Sequence, residues 1–249
     1  SLPNALTISS FLVSKVYQDF FEKTLSVIFP SVNFNLEDWK FNPEQINIEN
    51  QPFEIGYIGG GNALILFQKN SDAKSWIKEW SKLLLIEAPG LTTSVAYMEL
   101  DSADLKNQVF AQKKDELLKQ LQENKGKFTP ITIIPKHSIT SDCPNTSYSM
   151  EVWNSTEKKY LSCVSHAKLE VSDESKEKWN DDYKNLLNGK YCFTNELDRL
   201  GQIKNEDSHI AIVHIDGNDI GDRFNKTKNL LDIRKLSWEI SQSRSEEHT

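Results

Sequence analysis

Apolar positions near the start of the chain recur every three or four residues. Leu12, Val16 and Phe20, with Phe21, Leu25 and Ile28 behind them, predict an amphipathic helix ending at Pro30. Its apolar stripe is wide enough to cover a sheet. After a loop rich in Asn and Pro the period changes. Residues 53–58 and 63–67 are two short apolar runs separated by Gly59-Gly60-Gly61-Asn62, the pattern of a β-hairpin closed by a glycine turn. The second run, Ala63-Leu64-Ile65-Leu66-Phe67, is continuously apolar and reads as a buried strand. In a phosphate-binding loop or a dinucleotide fold the glycines would open a helix instead. Ala73, Trp76, Ile77, Trp80, Leu83 and Leu84 form a second helical stripe, closed by Pro89-Gly90, and residues 91–100 then read as a strand.

The order so far is helix, strand, strand, helix, strand. One further strand placed ahead of Ser1 turns it into βαββαβ, the ferredoxin-like split unit whose helices cover one face of an antiparallel sheet. That is the topology of a palm domain, and it sets the expected fold class as α+β. A third helix carries Leu105, Val109, Leu117 and Leu121, and a short strand at 131–134 stops at Pro135. From 136 to 207 the chain turns polar, with Cys143-Pro144-Asn145-Thr146, Leu161-Ser162-Cys163 and a charged run at 172–182. One helix is expected there, around Trp179, Tyr183 and Leu187. Residues 209–215 read as a new buried strand and 230–240 as a helix. The expected organisation is therefore a first palm at 1–135 lacking its first strand, a connector at 136–207, and the start of a second palm at 208–243. Arg244-Ser245-Glu246-Glu247-His248-Thr249 reads like the translation of a sequencing adapter, so 244–249 is expected to have no structural role and the chain to be a gene fragment.

Composition narrows the classes. The chain is 38% hydrophobic and 10% aromatic, enough for a substantial core. A net charge of -7 argues against a broad footprint on duplex nucleic acid, which needs clustered Lys and Arg. Cys143, Cys163 and Cys192 are widely spaced, without a C-x-x-C pair, so neither a disulfide framework nor a zinc ribbon is indicated and a reducing cytoplasm fits. No apolar run approaches the roughly 20 residues of a membrane span. A membrane partner is not expected.

The candidate chemistry gathers at two glycine-marked strand ends. Asp216 ends an apolar strand, and Gly217 with Asn218 lets the backbone turn tightly, so that its carbonyl and carboxylate can face one divalent ion. An Asp-Gly-Asn turn whose carboxylate caps the next segment accounts for the same residues. Asp219 and Asp222 stand where a helix starts, and the helix dipole or solvent explains them. His214 shares the side-chain parity of Asp216 on an extended strand. At the first hairpin, Gly59, Gly60, Gly61 and Asn62 would let a phosphate or base approach the backbone closely; a plain tight turn is the competing reading. Cys143, Cys163 and His166 fit no strong zinc pattern.

In this order Gly59-Gly60-Gly61-Asn62-Ala63-Leu64, Ala88-Pro89-Gly90-Leu91, the connector around Cys143, and Ile212-Val213-His214-Ile215-Asp216-Gly217-Asn218 resemble the double-palm large subunit of type III CRISPR effector complexes. The resemblance spans most of the chain up to Ser243. It implies a nucleotide-binding protein of antiviral defence, other effector subunits as partners, and guide RNA reached through them. For an active member it implies synthesis of cyclic oligoadenylates from ATP with magnesium, by a second palm whose hairpin is acidic. Asp216 would then be a metal ligand, with Gly217 and Asn218 near the nucleotide. Where the family's hairpin carries two carboxylates this chain has Gly61 and Asn62, and neither supplies an anionic ligand. The first palm is therefore expected to be catalytically silent. Two alternatives stay open: a palm pair that binds nucleotide or partners without turnover, and a stand-alone nucleotide cyclase, against which two palms in tandem count.

Overall fold

The computed structural model describes residues 5–36, 39, 44, 46, 48–106, 108–127, 139–192, 201, 209 and 219–246. The opening stripe forms two helices, α1 (Ala5–Tyr17) and α2 (Asp19–Ile28), because the backbone leaves helical geometry at Gln18. The glycine-separated runs form a hairpin of β1 (Phe53–Gly59) and β2 (Asn62–Phe67), followed by α3 (Asn70–Glu87). Leu105 lies in a short 3-10 turn (Ser102–Lys106) that precedes α4 (Gln108–Lys127). The molecule is thus α+β, and among the described residues its strands make two small antiparallel sheets.

Three expectations are corrected here. Among the described residues, 91–100 enter no ladder, so the strand expected there is not seen. The polar connector holds more structure than one helix: β3 (Val152–Asn154) pairs with β4 (Lys159–Leu161), and α5 (Cys163–Glu170), α6 (Ser172–Asp182) and α7 (Lys184–Leu187) follow. Polarity hid these elements because they bury few side chains each. Finally, helices cover both faces of the first hairpin. A strand as apolar as β2 has no face to give to water, so both faces need cover.

Register explains how both faces are served. Phe53 pairs with Phe67, Ile55 with Ile65 and Ile58 with Ala63, and all of these pack with α2 and α3 in the larger core. Glu54 pairs with Leu66 and Tyr57 with Leu64, on the opposite face. Strict alternation would put Ile55 and Tyr57 on one side. A bulge between them, at Gly56, inserts one residue and reverses the parity. A β-carbon on Gly56 would stand 3.0 Å from the Leu64 side chain and 3.2 Å from that of Leu230, so packing favours glycine there.

The first face is aromatic. Phe21 meets Trp76 edge-on at 5.1 Å, and Trp76 stacks on Trp80 at 5.6 Å. The indole of Trp76 donates to Thr24 Oγ1 at 2.9 Å, so a polar atom carried into the core is satisfied. The second face is closed by Leu105, Phe110, Leu230 and Ile233. Two of these come from α9 (Leu230–Glu246), which packs directly on β1. The helix expected to belong to a second unit thus closes the first hairpin. It continues through Glu246, the first three residues of the adapter-like tail included, and 247–249 lie outside the described residues.

Two buried cations tie this layer down. Arg234 on α9 donates to Glu54 on β1 at 2.5 Å, both side chains being almost wholly buried, with the Trp39 ring 5.5 Å from the guanidinium. Burial lowers the pKa of Arg234 while Glu54 works against that shift. The ammonium of Lys114 donates to the carbonyls of Phe224 at 2.8 Å, Asn225 at 3.1 Å and Thr227 at 3.3 Å. The first two oxygens belong to the last turn of the short helix α8 (Ile220–Asn225), where a cation is favoured, and Thr227 follows just after its cap.

Candidate functional site

The glycine turn is the one part of the expected site that the structure describes. Gly59 pairs with Asn62, leaving Gly60 and Gly61 as a two-residue loop with φ of +58° and +73°. Two successive left-handed residues make a type I′ turn, whose twist matches that of the strands it joins. Glycine adopts this pair of conformations without the steric cost that a β-carbon brings. The turn is exposed, and no atom lies within 4 Å of where a β-carbon would stand on Gly59, Gly60 or Gly61. Gly60 and Gly61 are therefore explained by conformation rather than by crowding within the chain.

Two tyrosines that the sequence reading missed stand beneath this turn. Tyr17, at the end of α1, donates its hydroxyl to the carbonyl of Gly61 at 2.6 Å, and its ring packs edge-on against Phe21 at 5.7 Å. Tyr57 on β1 lies against Phe224 of α8 at 5.1 Å. Burial raises both phenol pKa values, and the neighbouring Tyr57 raises that of Tyr17 further. Both hydroxyls therefore stay neutral and able to donate near pH 7. Helical spacing already joined Val16 and Phe20, but nothing in it showed that Tyr17 would turn toward the hairpin.

The chemistry of this surface follows from what it lacks. Asn62 turns its amide onto the carbonyl of Gly60 at 3.2 Å, and Gly61 has no side chain, so the turn offers a divalent ion only neutral oxygens. It does not fit magnesium. No step of phosphoryl transfer is assigned to it. Of the second strand end, His214, Asp216, Gly217 and Asn218 lie outside the described residues, as do the strand expected at 131–134 and all but His209 of the strand expected at 209–215. Asp219 is left-handed at φ +59° just before α8 and makes no side-chain cap bond, and Asp222 is exposed in the first turn of that helix.

The connector residues have structural roles. Ser162 caps α5 by accepting from the Ser165 amide at 3.3 Å, and Thr146 Oγ1 meets Ser162 Oγ at 2.8 Å. Cys143 is buried beside Ser165, with Sγ to Oγ at 3.4 Å. Burial pushes its thiol up, but hydrogen bonds from Ser165, Ser162 and Asn145 outweigh burial and bring it down to about 6. Cys163 is pushed the other way, to about 11, by burial and by the Glu151 carboxylate. His166 pairs with Glu170 at 3.6 Å along the same helix. Among the described residues no three His, Cys, Asp or Glu side chains are grouped to hold a metal ion, and no helix is long and apolar enough to cross a membrane.

No protein-family model matches the chain, and no curated protein matches it. A functional reading rests on the residues alone.

Proposed function

We propose that the chain belongs to a palm-type, nucleotide-binding subunit of a CRISPR-type antiviral defence system. Its first palm is a supporting element, and any magnesium-dependent synthesis of cyclic oligonucleotides from ATP falls to the second. The observation that carries this reading is the hairpin turn: a β-hairpin under helices, closed where palm enzymes hold their carboxylates by two left-handed glycines and an amide turned back on the backbone. Such a turn can sit against a phosphate or a base but cannot anchor a cation. Asp216 is assigned as the metal ligand, Gly217 and Asn218 as its nucleotide-side neighbours, and Gly59, Gly60, Gly61 and Asn62 as a non-catalytic contact. When bound, magnesium would supply charge stabilisation on the ATP phosphates.

A second reading, a palm pair that holds nucleotide or partner subunits without turnover, is favoured by the buried Arg234–Glu54 pair, which fixes α9 on β1. The two readings separate by titrating ATP with magnesium into the parent, Asp216→Ala and Asn62→Ala by calorimetry. Asp216→Ala is expected to weaken binding about tenfold or more, the loss of one charged ligand, and Asn62→Ala to leave it unchanged. Unchanged ATP affinity and turnover in Asp216→Ala would make Asp216 a turn residue and leave the non-catalytic pair as the better reading.

A further inference from the structure

Lys114 follows Phe110 by one turn of α4 and shares its face of the helix. Phe110 packs with Leu230 and Ile233 at the start of α9, and Lys114 reaches the turn that joins α8 to α9. Its side chain is 7% exposed. A lysine buried so deeply ordinarily meets a carboxylate. Here the Asp115 carboxylate is 3.9 Å away and mostly exposed, and the ammonium is surrounded instead by neutral oxygens. These are the carbonyls of Phe224 at 2.8 Å, Asn225 at 3.1 Å and Thr227 at 3.3 Å, with Thr227 Oγ1 at 3.1 Å. An ammonium has three N–H groups, so the oxygens outnumber the donors. Converging carbonyls and a hydroxyl are the shell that a hard monovalent cation takes in place of water.

The turn also carries bonds of its own. Thr227 Oγ1 gives its proton to the Phe224 carbonyl at 2.5 Å, so its lone pairs are what the ammonium meets. The Thr227 amide donates to the same carbonyl at 3.2 Å, and the Lys226 amide to the Asp222 carbonyl at 3.1 Å. On the other side, Asn229 Oδ1 accepts from the Asp232 amide at 2.9 Å and Asp232 Oδ2 from the Lys228 amide at 3.1 Å, which starts α9. The oxygens are thus held together by contacts that do not involve Lys114. In the chain, α8 follows directly on Asp216-Gly217-Asn218-Asp219. Its far end is held by Lys114 and by the Phe224 ring, 5.1 Å from that of Tyr57.

We propose that the α8–α9 turn is a monovalent-cation site whose resident cation is the tethered ammonium of Lys114, and that Lys114, by filling it, fixes α8 and positions the segment of Asp216, Gly217 and Asn218. The site takes a primary ammonium because every ligand oxygen is neutral, which suits a single charge with N–H groups and not a divalent ion. Lys114 is a positioning residue, acting through α8. The cage is independent of nucleotide binding, whereas the positioning role rests on the assignment of Asp216 as a metal ligand.

Removing the ammonium tests both halves. Lys114→Ala deletes the part of the side chain that n-propylammonium replaces, and its thermal midpoint should fall about 5 °C or more below the parent's. n-Propylammonium at about ten times its dissociation constant should then raise that midpoint by about 3 °C and leave the parent unchanged. Tetramethylammonium at equal ionic strength, a cation without N–H groups, should do nothing. Lys114→Met, whose side chain fills the approach without a charge, should stay low and gain nothing from the amine. If Lys114→Ala does not fold, the refolding yield with either cation is read in place of the midpoint. Equal effects of the two cations, or a Lys114→Met midpoint equal to the parent's, would overturn the cage. For the positioning role, calorimetric titration of ATP with magnesium should show about fivefold weaker binding to Lys114→Ala, restored by n-propylammonium, and no further loss when Lys114→Ala is added to Asp216→Ala. Parent-like ATP affinity in Lys114→Ala overturns that role. Parent-like affinity in Asp216→Ala removes the assignment of Asp216, and the positioning role with it, and leaves the rescue of the midpoint standing.

Discussion

The two hairpins among the described residues are held by different physics. β1 and β2 bury Phe53 and Ile55 almost completely and are packed from both faces by aromatic and aliphatic side chains. β3 and β4 bury Leu161 and Asn154, while Trp153 and Tyr160 pair with each other at 5.2 Å on an exposed face. What steadies the second hairpin is a set of short polar contacts: the Asn154 side chain accepts from the Glu157 amide at 2.7 Å, and Ser162, Thr146, Ser165 and Cys143 bond one another beneath it. The first hairpin is stable through area removed from water. The second depends on each buried polar atom having a partner.

The sharpest way to break this contrast is to truncate an aromatic ring in each. Phe53→Ala should cost about 3–5 kcal/mol, because the void lies among Phe29, Phe34 and Phe67 with little room to collapse. Trp153→Ala should stay within about 1 kcal/mol, since the ring loses only an exposed partner. Urea unfolding of the two variants checks this, and equal losses would remove the distinction. Next in size is the ion pair. Glu54→Leu leaves the Arg234 charge buried without its carboxylate and should cost about 3 kcal/mol, whereas Glu54→Leu with Arg234→Met should recover most of it. A double-mutant cycle by denaturation measures the difference.

The polar network makes the connector sensitive to pH where the apolar hairpin is not. Cys143 falls from an ordinary 9.0 to about 6 in the folded chain. Its folded value lies below its unfolded one, so its stabilisation is complete above about pH 9 and is lost as pH falls through 6. The difference in thermal midpoint between the parent and Cys143→Ser should therefore widen from pH 6 to pH 9; a constant difference would show that the thiol does not ionise in this range. The smallest effects concern the turns. Gly61→Ala should cost about 1 kcal/mol for a left-handed alanine, while Lys158→Gly in the second hairpin, at φ +50°, should gain up to about 1 kcal/mol. Thermal melts of both variants test the sign.

Legibility in the sequence followed burial. The β1–β2 hairpin, its glycine turn and α3 could be read because apolar runs and helical stripes leave a strong period. The β3–β4 hairpin could not, for its buried set of Leu161, Asn154 and Ser162 has no period, and its short strands of Val152–Asn154 and Lys159–Leu161 alternate too briefly. At the candidate site, Gly60 and Gly61 were readable as a turn, and Asn62 as a residue unable to supply an anion. Tyr17 and Tyr57 were not, because their place beneath the turn depends on where α1 ends and on the bulge at Gly56.

By itself, then, the sequence determined the local elements and the missing carboxylates at the first turn, since these depend on residue type and near-neighbour spacing. The tertiary structure decided which layers those elements share. It alone set Tyr57 on the opposite face from Ile55 and brought Arg234 of α9 across the chain to Glu54 of β1. Contacts of this kind join residues far apart in the chain, and a period read along the chain carries no information about which distant surface will cover it.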